Sequence, residues 1–243
     1  MHYNLLFNGC SYTWGAELEG INRDYEYQHT NRFSHLVSEN TGLTYANISK
    51  AGASNERILR TTVKWFEEGN TCDHAIIQWT HRWRVEYFSN FNLLKTSINS
   101  NQKPRFFDII PLIKEIYNSR GNDLTRNFIS IQNAANDQNN EDRCMYWMEK
   151  LLKDKCSFDY LKMQKESEVV DEYYKISPYH KYRTKFPMTY IIGDILPKNK
   201  VIYYCKKIPG YPILNGSHPN ESGHRRIADY IINNFQYFKV DAL

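Results

Sequence analysis

The sequence lacks any apolar run of the roughly 18 to 20 residues that a membrane-spanning helix needs, and its first eight residues are too few and too polar for a signal peptide. It has no C-x-x-C pair, and because its five cysteines are an odd number, we expect reduced thiols rather than a disulfide framework. It also has little excess charge: 31 Lys and Arg stand against 27 Asp and Glu, which predicts neither disorder nor an obligatory nucleic-acid partner. We therefore expect a mature chain that starts here, in the cytoplasm or in a virion-type particle, with no membrane partner.

The 243 residues, 41% of them hydrophobic and 15% aromatic, suffice for a single domain with a packed core. Hydrophobic periodicity predicts alternating elements: strands over 3–8, 43–48, 74–79, 158–163 and 201–205, and helices over 29–40, 54–68, 106–117, 127–155 and 221–238. Such alternation predicts an α/β fold with three α/β/α layers and a flavodoxin-like parallel sheet of about five strands. The charged and aromatic residues 164–200, interrupted by three prolines, predict an insertion or lid before the last strand.

A serine directly follows the first predicted strand. Ser11 lies between Gly9 and Gly15, and a hydroxyl there stands at the carboxyl edge of the sheet, where open α/β folds bind their ligands. Glycine allows the tight turn that would expose it. The alternative is a serine that only caps the next helix.

Two more segments carry candidate site residues. Gly52 leaves the second strand with a backbone N–H that can face an anion, and Ser54 or Asn55 can cap the helix that follows, unless this is an ordinary turn. His218 precedes Pro219 at the entrance of the last helix, where restricted backbone freedom suits a general base that must be aimed. His224 lies inside that helix, and we expect it to pack or to hydrogen-bond.

Together these segments resemble the SGNH hydrolases, the GDSL-type esterase and lipase superfamily. The matching positions run from the first to the last block of that family: Gly9, Ser11 and Gly15, then Gly52, then His218-Pro219 with Gly223-His224. The resemblance implies that Ser11 is the nucleophile, that His218 is its base, and that the N–H groups of Ser11 and Gly52 belong to an oxyanion hole. It implies ester hydrolysis through an acyl-enzyme by one domain spanning 1–243, without cofactor or metal.

Three positions depart from the family pattern. Cys10 replaces the aspartate beside the nucleophile and could attack in place of Ser11. The third block of the family pattern, whose asparagine donates to the oxyanion, is poorly matched in this sequence. The candidates for that donor are Thr80, His81 and Asn55.

The third departure is Asn215, which stands where the family has the aspartate of its catalytic pair. An amide has no charge with which to stabilise an imidazolium. Either another group therefore assists His218, or the pocket binds a ligand without catalysing a reaction. Asp194, Glu221 and a backbone carbonyl are the candidates for that group. Under slow hydrolysis, Asn215→Asp should raise the rate.

Aromatic and charged residues near these segments point to the substrate. The candidates for its binding are Trp14, Trp79, Arg82 and Trp83. Flat aromatic faces beside hydrogen-bonding ions suit a sugar ring, so an O-acylated carbohydrate is the expected substrate, although the same aromatics could be core.

Three other functions stay open. One is a catalytically impaired glycan-binding or virion-associated protein, and another is an acyltransferase that uses the same site. The third is single-stranded nucleic-acid binding by the basic, tyrosine-rich stretch 173–185. Its acidic flanks and the small net charge disfavour that third function.

Overall fold

The computed structural model describes residues 1–18, 24–82, 84–89, 105–109, 134–162, 189–190 and 218–242. The strands in these ranges are β1 (His2–Asn8), β2 (Tyr45–Asn47), β3 (Thr71–Trp79), β4 (Val85–Ser89), β5 (Arg105–Ile109), β6 (Ser157–Lys162) and β7 (Thr189–Tyr190). The helices are α1 (Ser11–Trp14), α2 (Tyr25–Asn31), α3 (Phe33–Thr41), α4 (Asn55–Glu67), α5 (Ala134–Lys153) and α6 (Glu221–Asn234), with a 3-10 helix over Gln236–Ala242.

Five strands form one sheet in the order β2-β1-β3-β6-β7, and every neighbouring pair is parallel. Strands β4 and β5 pair antiparallel as a separate two-stranded sheet. The parallel sheet of about five strands that the sequence predicts is therefore confirmed. Its order places β1 and β3 side by side, so that the loops after both strands meet at one carboxyl edge.

Successive residues of β1 point to opposite faces of the sheet. Phe7 packs edge-on against Phe33 of α3 at 6.0 Å, whereas the Asn8 amide donates to Thr62 of α4 at 2.9 Å. Helices α3 and α6 pack together on the first face, and α4 packs with α5. The sheet is thus the middle layer of an α/β/α fold, and its central strands supply much of the core.

The helix ends follow ordinary capping chemistry. Ser54 caps α4 by accepting from the N–H of Arg57, Asn220 caps α6 by accepting from that of Gly223, and Gly42 ends α3 in a left-handed conformation. The helix predicted over 29–40 is divided at Arg32, whose backbone is extended (φ −76°, ψ 146°). None of the helices in the described ranges is long and apolar enough to cross a bilayer.

Two predicted elements need correction. The start of the helix predicted over 106–117 is instead strand β5, because a short apolar run does not distinguish a buried helix turn from a strand. The fifth strand of the sheet is β7, which lies within the predicted insertion 164–200. The remainder of both segments, and the strand predicted over 201–205, lie outside the described residues.

Candidate active site

Ser11 lies at the carboxyl edge of the central strand β1, where it begins the short helix α1. Strand β1 ends at Asn8, and Gly9 and Cys10 make the turn between strand and helix. The Ser11 side chain is 4% exposed, so it lies just beneath the surface of the edge. This is the position that the sequence predicts for a nucleophile.

Gln78 of β3 holds this turn in place. Its Oε1 accepts from the N–H of Cys10 at 3.0 Å and from the hydroxyl of Thr13 at 3.1 Å. A Cβ on Gly9 would stand 2.5 Å from Thr13 Oγ1 and 2.8 Å from Gln78. Gly9 is therefore required for close approach of the backbone to β3, which fixes where Ser11 stands.

Cys10 is the rival nucleophile, and it is wholly buried with its Sγ 3.7 Å from Ser11 Oγ. Burial acts to raise the pKa of the Cys10 thiol. The charge of Arg84 and hydrogen bonds from Thr80, the Tyr12 backbone and Gln78 outweigh it, so that the pKa lies below its ordinary value. The thiol is thus polarised but closed to solvent, and a direct test must separate it from Ser11.

His218 meets the N-terminal segment at the same edge. Its ring lies 5.4 Å from that of Tyr12, and its Nδ1 lies 2.8 Å from Glu17 Oε1. Both groups are partly buried, with 17% of the His218 side chain and 32% of the Glu17 side chain exposed. The predicted nucleophile and the predicted base therefore lie on neighbouring segments, although 207 residues separate Ser11 from His218 in the sequence.

Glu17 is the site residue that sequence reasoning missed. Its only signal is an acidic residue in the turn after α1, which is common and unspecific. Among the proposed helpers, Glu221 is engaged elsewhere: it accepts from the Tyr27 hydroxyl at 2.6 Å and from Arg225 at 2.9 Å. Asn215 and Asp194 lie outside the described residues.

Asn55 provides a side-chain donor. Its Oδ1 accepts from the N–H of Thr80 at 3.0 Å, which fixes the orientation of the amide. Its Nδ2 is buried and has no hydrogen-bond partner among the residues that the structure describes. Thr80 also hydrogen-bonds the thiol of Cys10, so Asn55 is linked through Thr80 to the residue next to Ser11. A buried N–H donor without an acceptor is uncommon in folded proteins, and an oxygen atom of a bound ligand could be the acceptor.

The Gly52 loop lies beside the same turn. Its backbone is held by the N–H of Lys50, which donates to the Gly9 carbonyl at 3.2 Å, and by the N–H of Ile48, which donates to the Phe7 carbonyl at 3.0 Å. Gly52 has a φ of +78°, which only glycine adopts without strain. The loop that carries Gly52 is thus tied, through Lys50 and Gly9, to the turn that precedes Ser11. The other candidates follow β3: Thr80 is buried, and the carbonyl of His81 accepts from the N–H of Arg84.

The residues predicted to bind substrate differ in where the structure places them. Trp79 is wholly buried and packs edge-on against Tyr160 at 5.6 Å, so the structure assigns it to the core instead of to a sugar platform. Trp14 is half-buried at the end of α1, and Arg82 donates to Gln138 of α5 at 2.8 Å. Trp83 lies outside the described residues.

His224 is a packing residue, as its place inside the last helix predicts. Its ring is fully buried and stacks on Phe33 at 5.8 Å, and its Nδ1 accepts from the N–H of Phe33 at 3.1 Å. Burial, with smaller contributions from the charges of His218 and Arg32, lowers the pKa of His224 to about 3. The ring is therefore neutral in the folded protein at neutral pH.

This neutral ring makes stability depend on pH. Between its ordinary pKa of about 6.5 and its folded pKa of about 3, the unfolded chain binds one more proton at His224 than the folded chain does. Acidification from pH 7 to pH 4 should therefore remove ~3 kcal/mol from the free energy of unfolding through this group. His224→Gln keeps an acceptor but cannot titrate, so urea unfolding should lose that part of the pH dependence. The exposed His2→Gln should retain it, and equal slopes in all three proteins would contradict the assignment.

Comparison with known proteins gives matches among solved structures alone. No family model matches the chain, and no curated protein matches it either. Similar solved structures include a member of the lipolytic G-D-S-L family from Veillonella parvula DSM 2008, at 10% identity and a TM-score of 0.47 over 97% of this chain and 98% of that one. Another is the psychrotrophic esterase EstA from Pseudoalteromonas sp., inhibited by monoethylphosphonate, at 8% identity and a TM-score of 0.45 over 97% and 98%.

A third is a family two carbohydrate esterase from Clostridium thermocellum in complex with cellohexaose. It is 9% identical, with a TM-score of 0.44 over 95% of this chain and 63% of that one. These solved structures include members of the G-D-S-L family, which the sequence motifs of this chain resemble. Likenesses of such low identity do not assign an activity, which depends here on the chain's own side chains.

Proposed function

We propose that this protein is an ester hydrolase in which Ser11 is the nucleophile and His218 is the general base. The observation that carries the proposal is the meeting of two distant parts of the chain: His218 lies against Tyr12 and Glu17, on the segment that Ser11 begins. A hydroxyl and an imidazole at one carboxyl edge of a parallel sheet are the groups that acyl transfer requires.

The reaction follows from these groups. His218 Nε2 takes the proton of the Ser11 hydroxyl as Oγ attacks the ester carbonyl carbon, and the imidazolium then returns that proton to the departing alkoxide. Water, deprotonated by the same imidazole, attacks the acyl-enzyme and releases the acid. The backbone N–H groups of Ser11 and Gly52 and the Asn55 amide are the proposed donors to the oxyanion.

The acyl group is proposed to be small. Ser11 is nearly covered by its surroundings, and a hydroxyl with so little exposed surface favours an acetyl group over a long acyl chain. Trp14 and Arg82 remain as the described side chains that could contact the alcohol part, an aromatic face and a cation suited to a sugar ring. An O-acetylated carbohydrate is therefore the proposed substrate class.

Chain-length preference tests this proposal. We expect p-nitrophenyl acetate to be hydrolysed with a kcat/KM at least ~10-fold above that for p-nitrophenyl octanoate, because extra methylenes would have to fit beside a hydroxyl that is already nearly covered. We also expect release of acetate from an acetylated xylan, measured by an enzyme-coupled assay.

Two outcomes would contradict parts of this proposal. One is faster hydrolysis of the octanoate ester, which would overturn the small acyl group but leave the ester hydrolase. The other is binding of the acetylated glycan by both wild type and Ser11→Ala without acetate release, which is what a glycan-binding protein would give. Transfer of acetyl to an added alcohol in preference to water would instead identify an acyltransferase.

A further inference from the structure

The base of the proposed site has a carboxylate partner from an unexpected part of the chain. The position three residues before His218 holds Asn215, which has no charge to offer. We infer that Glu17 supplies the missing carboxylate and acts as the positioning residue for His218. This inference depends on the proposed ester hydrolysis by Ser11 and His218.

The contact has the geometry that the role requires. Glu17 Oε1 lies 2.8 Å from His218 Nδ1, within the range of a charge-assisted hydrogen bond. A carboxylate accepts but does not donate, so the proton of a neutral imidazole is held on Nδ1, and the lone pair is left on Nε2. Nε2 is then the nitrogen that can take a proton from Ser11. Both side chains are partly buried, so water screens this contact less than it would a fully exposed one.

The backbone at Glu17 is unusual. Its φ is +75°, and it is the only non-glycine residue with positive φ in the part of the chain that the structure describes. A side chain there is strained, and glycine or asparagine would relieve it. Strain of this kind persists when the surroundings fix it, and it clusters at functional sites. Here the left-handed backbone belongs to the residue that reaches the imidazole.

The proposed role assigns each proton. When Ser11 Oγ bonds to the carbonyl carbon, its proton moves to His218 Nε2, and the ring becomes an imidazolium that donates from Nδ1 to Glu17. Glu17 accepts this hydrogen bond, and the proton stays on Nδ1. The proton on Nε2 then passes to the leaving alkoxide as the C–O bond breaks, which returns His218 to its neutral form.

Glu17→Gln is the first test. It keeps the size of the side chain but removes the charge, and its amide can donate to Nδ1 and so favour the wrong tautomer. We expect kcat for p-nitrophenyl acetate to fall by about 10³–10⁴-fold with KM changed little. Glu17→Asp should recover part of the rate, and Glu26→Gln, the same change on an exposed carboxylate of α2, should match wild type.

The second test uses the family position. Asn215→Asp should raise the rate of the Glu17→Gln protein at least ~10-fold, and by a larger factor than it raises the rate of wild type, because it puts a carboxylate at the family position when Glu17 no longer supplies one. The far-downfield proton resonance of a carboxylate-bound Nδ1–H should be present in wild type and absent in Glu17→Gln. This signal also checks the contact without any turnover.

The outcomes separate this inference from the proposed function. If wild type hydrolyses the ester through Ser11 and Glu17→Gln is as fast, the Glu17 inference is overturned and the hydrolase stands. If Asn215→Asp speeds wild type as much as it speeds Glu17→Gln, Glu17 is likewise not the partner of Nδ1. If wild type neither hydrolyses any ester nor reacts with a fluorophosphonate at Ser11, the proposed function fails first.

Discussion

Ser11→Ala is expected to lower kcat for p-nitrophenyl acetate by about 10⁴–10⁶-fold and to abolish labelling by a fluorophosphonate. The substitution removes only the hydroxyl group of the side chain, and without its oxygen no acyl-enzyme can form. Residual hydrolysis would come from the oxyanion donors and from substrate binding alone. The measurement is the steady-state rate together with mass spectrometry of the peptide that contains residue 11.

Two controls make the Ser11 result specific. Ser38→Ala removes another partly buried hydroxyl, which lies on α3 and donates to the Leu43 carbonyl beyond the helix end, and this variant should keep the wild-type rate. Cys10→Ala removes the neighbouring thiol and should leave labelling at Ser11 intact. Loss of labelling in Cys10→Ala with labelling retained in Ser11→Ala would show that the sulfur is the nucleophile.

Asn55→Ala is expected to lower kcat by about 10²–10³-fold with KM little changed, because a donor to the oxyanion acts mainly in the transition state. It should also reduce the free energy of unfolding by about 1–3 kcal/mol, since the N–H of Thr80 loses its acceptor in a buried place. Steady-state kinetics and urea unfolding measure the two effects separately.

Asn55→Asp distinguishes a hydrogen-bond donor to the oxyanion from a residue that only holds Thr80 in place. The aspartate keeps an oxygen for the Thr80 N–H but has no N–H to offer, so the rate should stay low even where folding is retained. If Asn55 only held Thr80 in place, the aspartate would restore activity. Asn233→Asp, the same change on an exposed face of α6, serves as the control for added charge.

The sequence was sufficient for the features that depend on local pattern. A short apolar run before Gly9 predicted β1 and the turn that bears Ser11. Ser54 was one of two residues, with Asn55, expected to cap α4, because capping uses a side chain a few residues from its target. The parallel sheet followed from the alternation of strands and helices. These features need no knowledge of distant contacts.

The parts that could not be predicted are those that distant contacts decide. Glu17 and His218 are 201 residues apart, and no spacing rule relates them. The sequence places Trp79 at the end of a strand but does not say whether its ring enters the core or faces a ligand. The ring enters the core because it packs against Tyr160 of the neighbouring strand β6. Strand β7 has two residues, too few for any periodicity to register.

The pairing of Glu17 with His218 also bears on when the protein becomes active during its synthesis. The segment that contains Ser11, the proposed nucleophile, and Glu17 leaves the ribosome early, and His218 follows only after another 201 residues. Folding of such a chain proceeds from the N-terminus, yet His218, the proposed proton acceptor, is synthesised only just before α6. Nascent chains would therefore be inert towards esters however well their early strands had paired, and the onset of turnover would report completion of the fold.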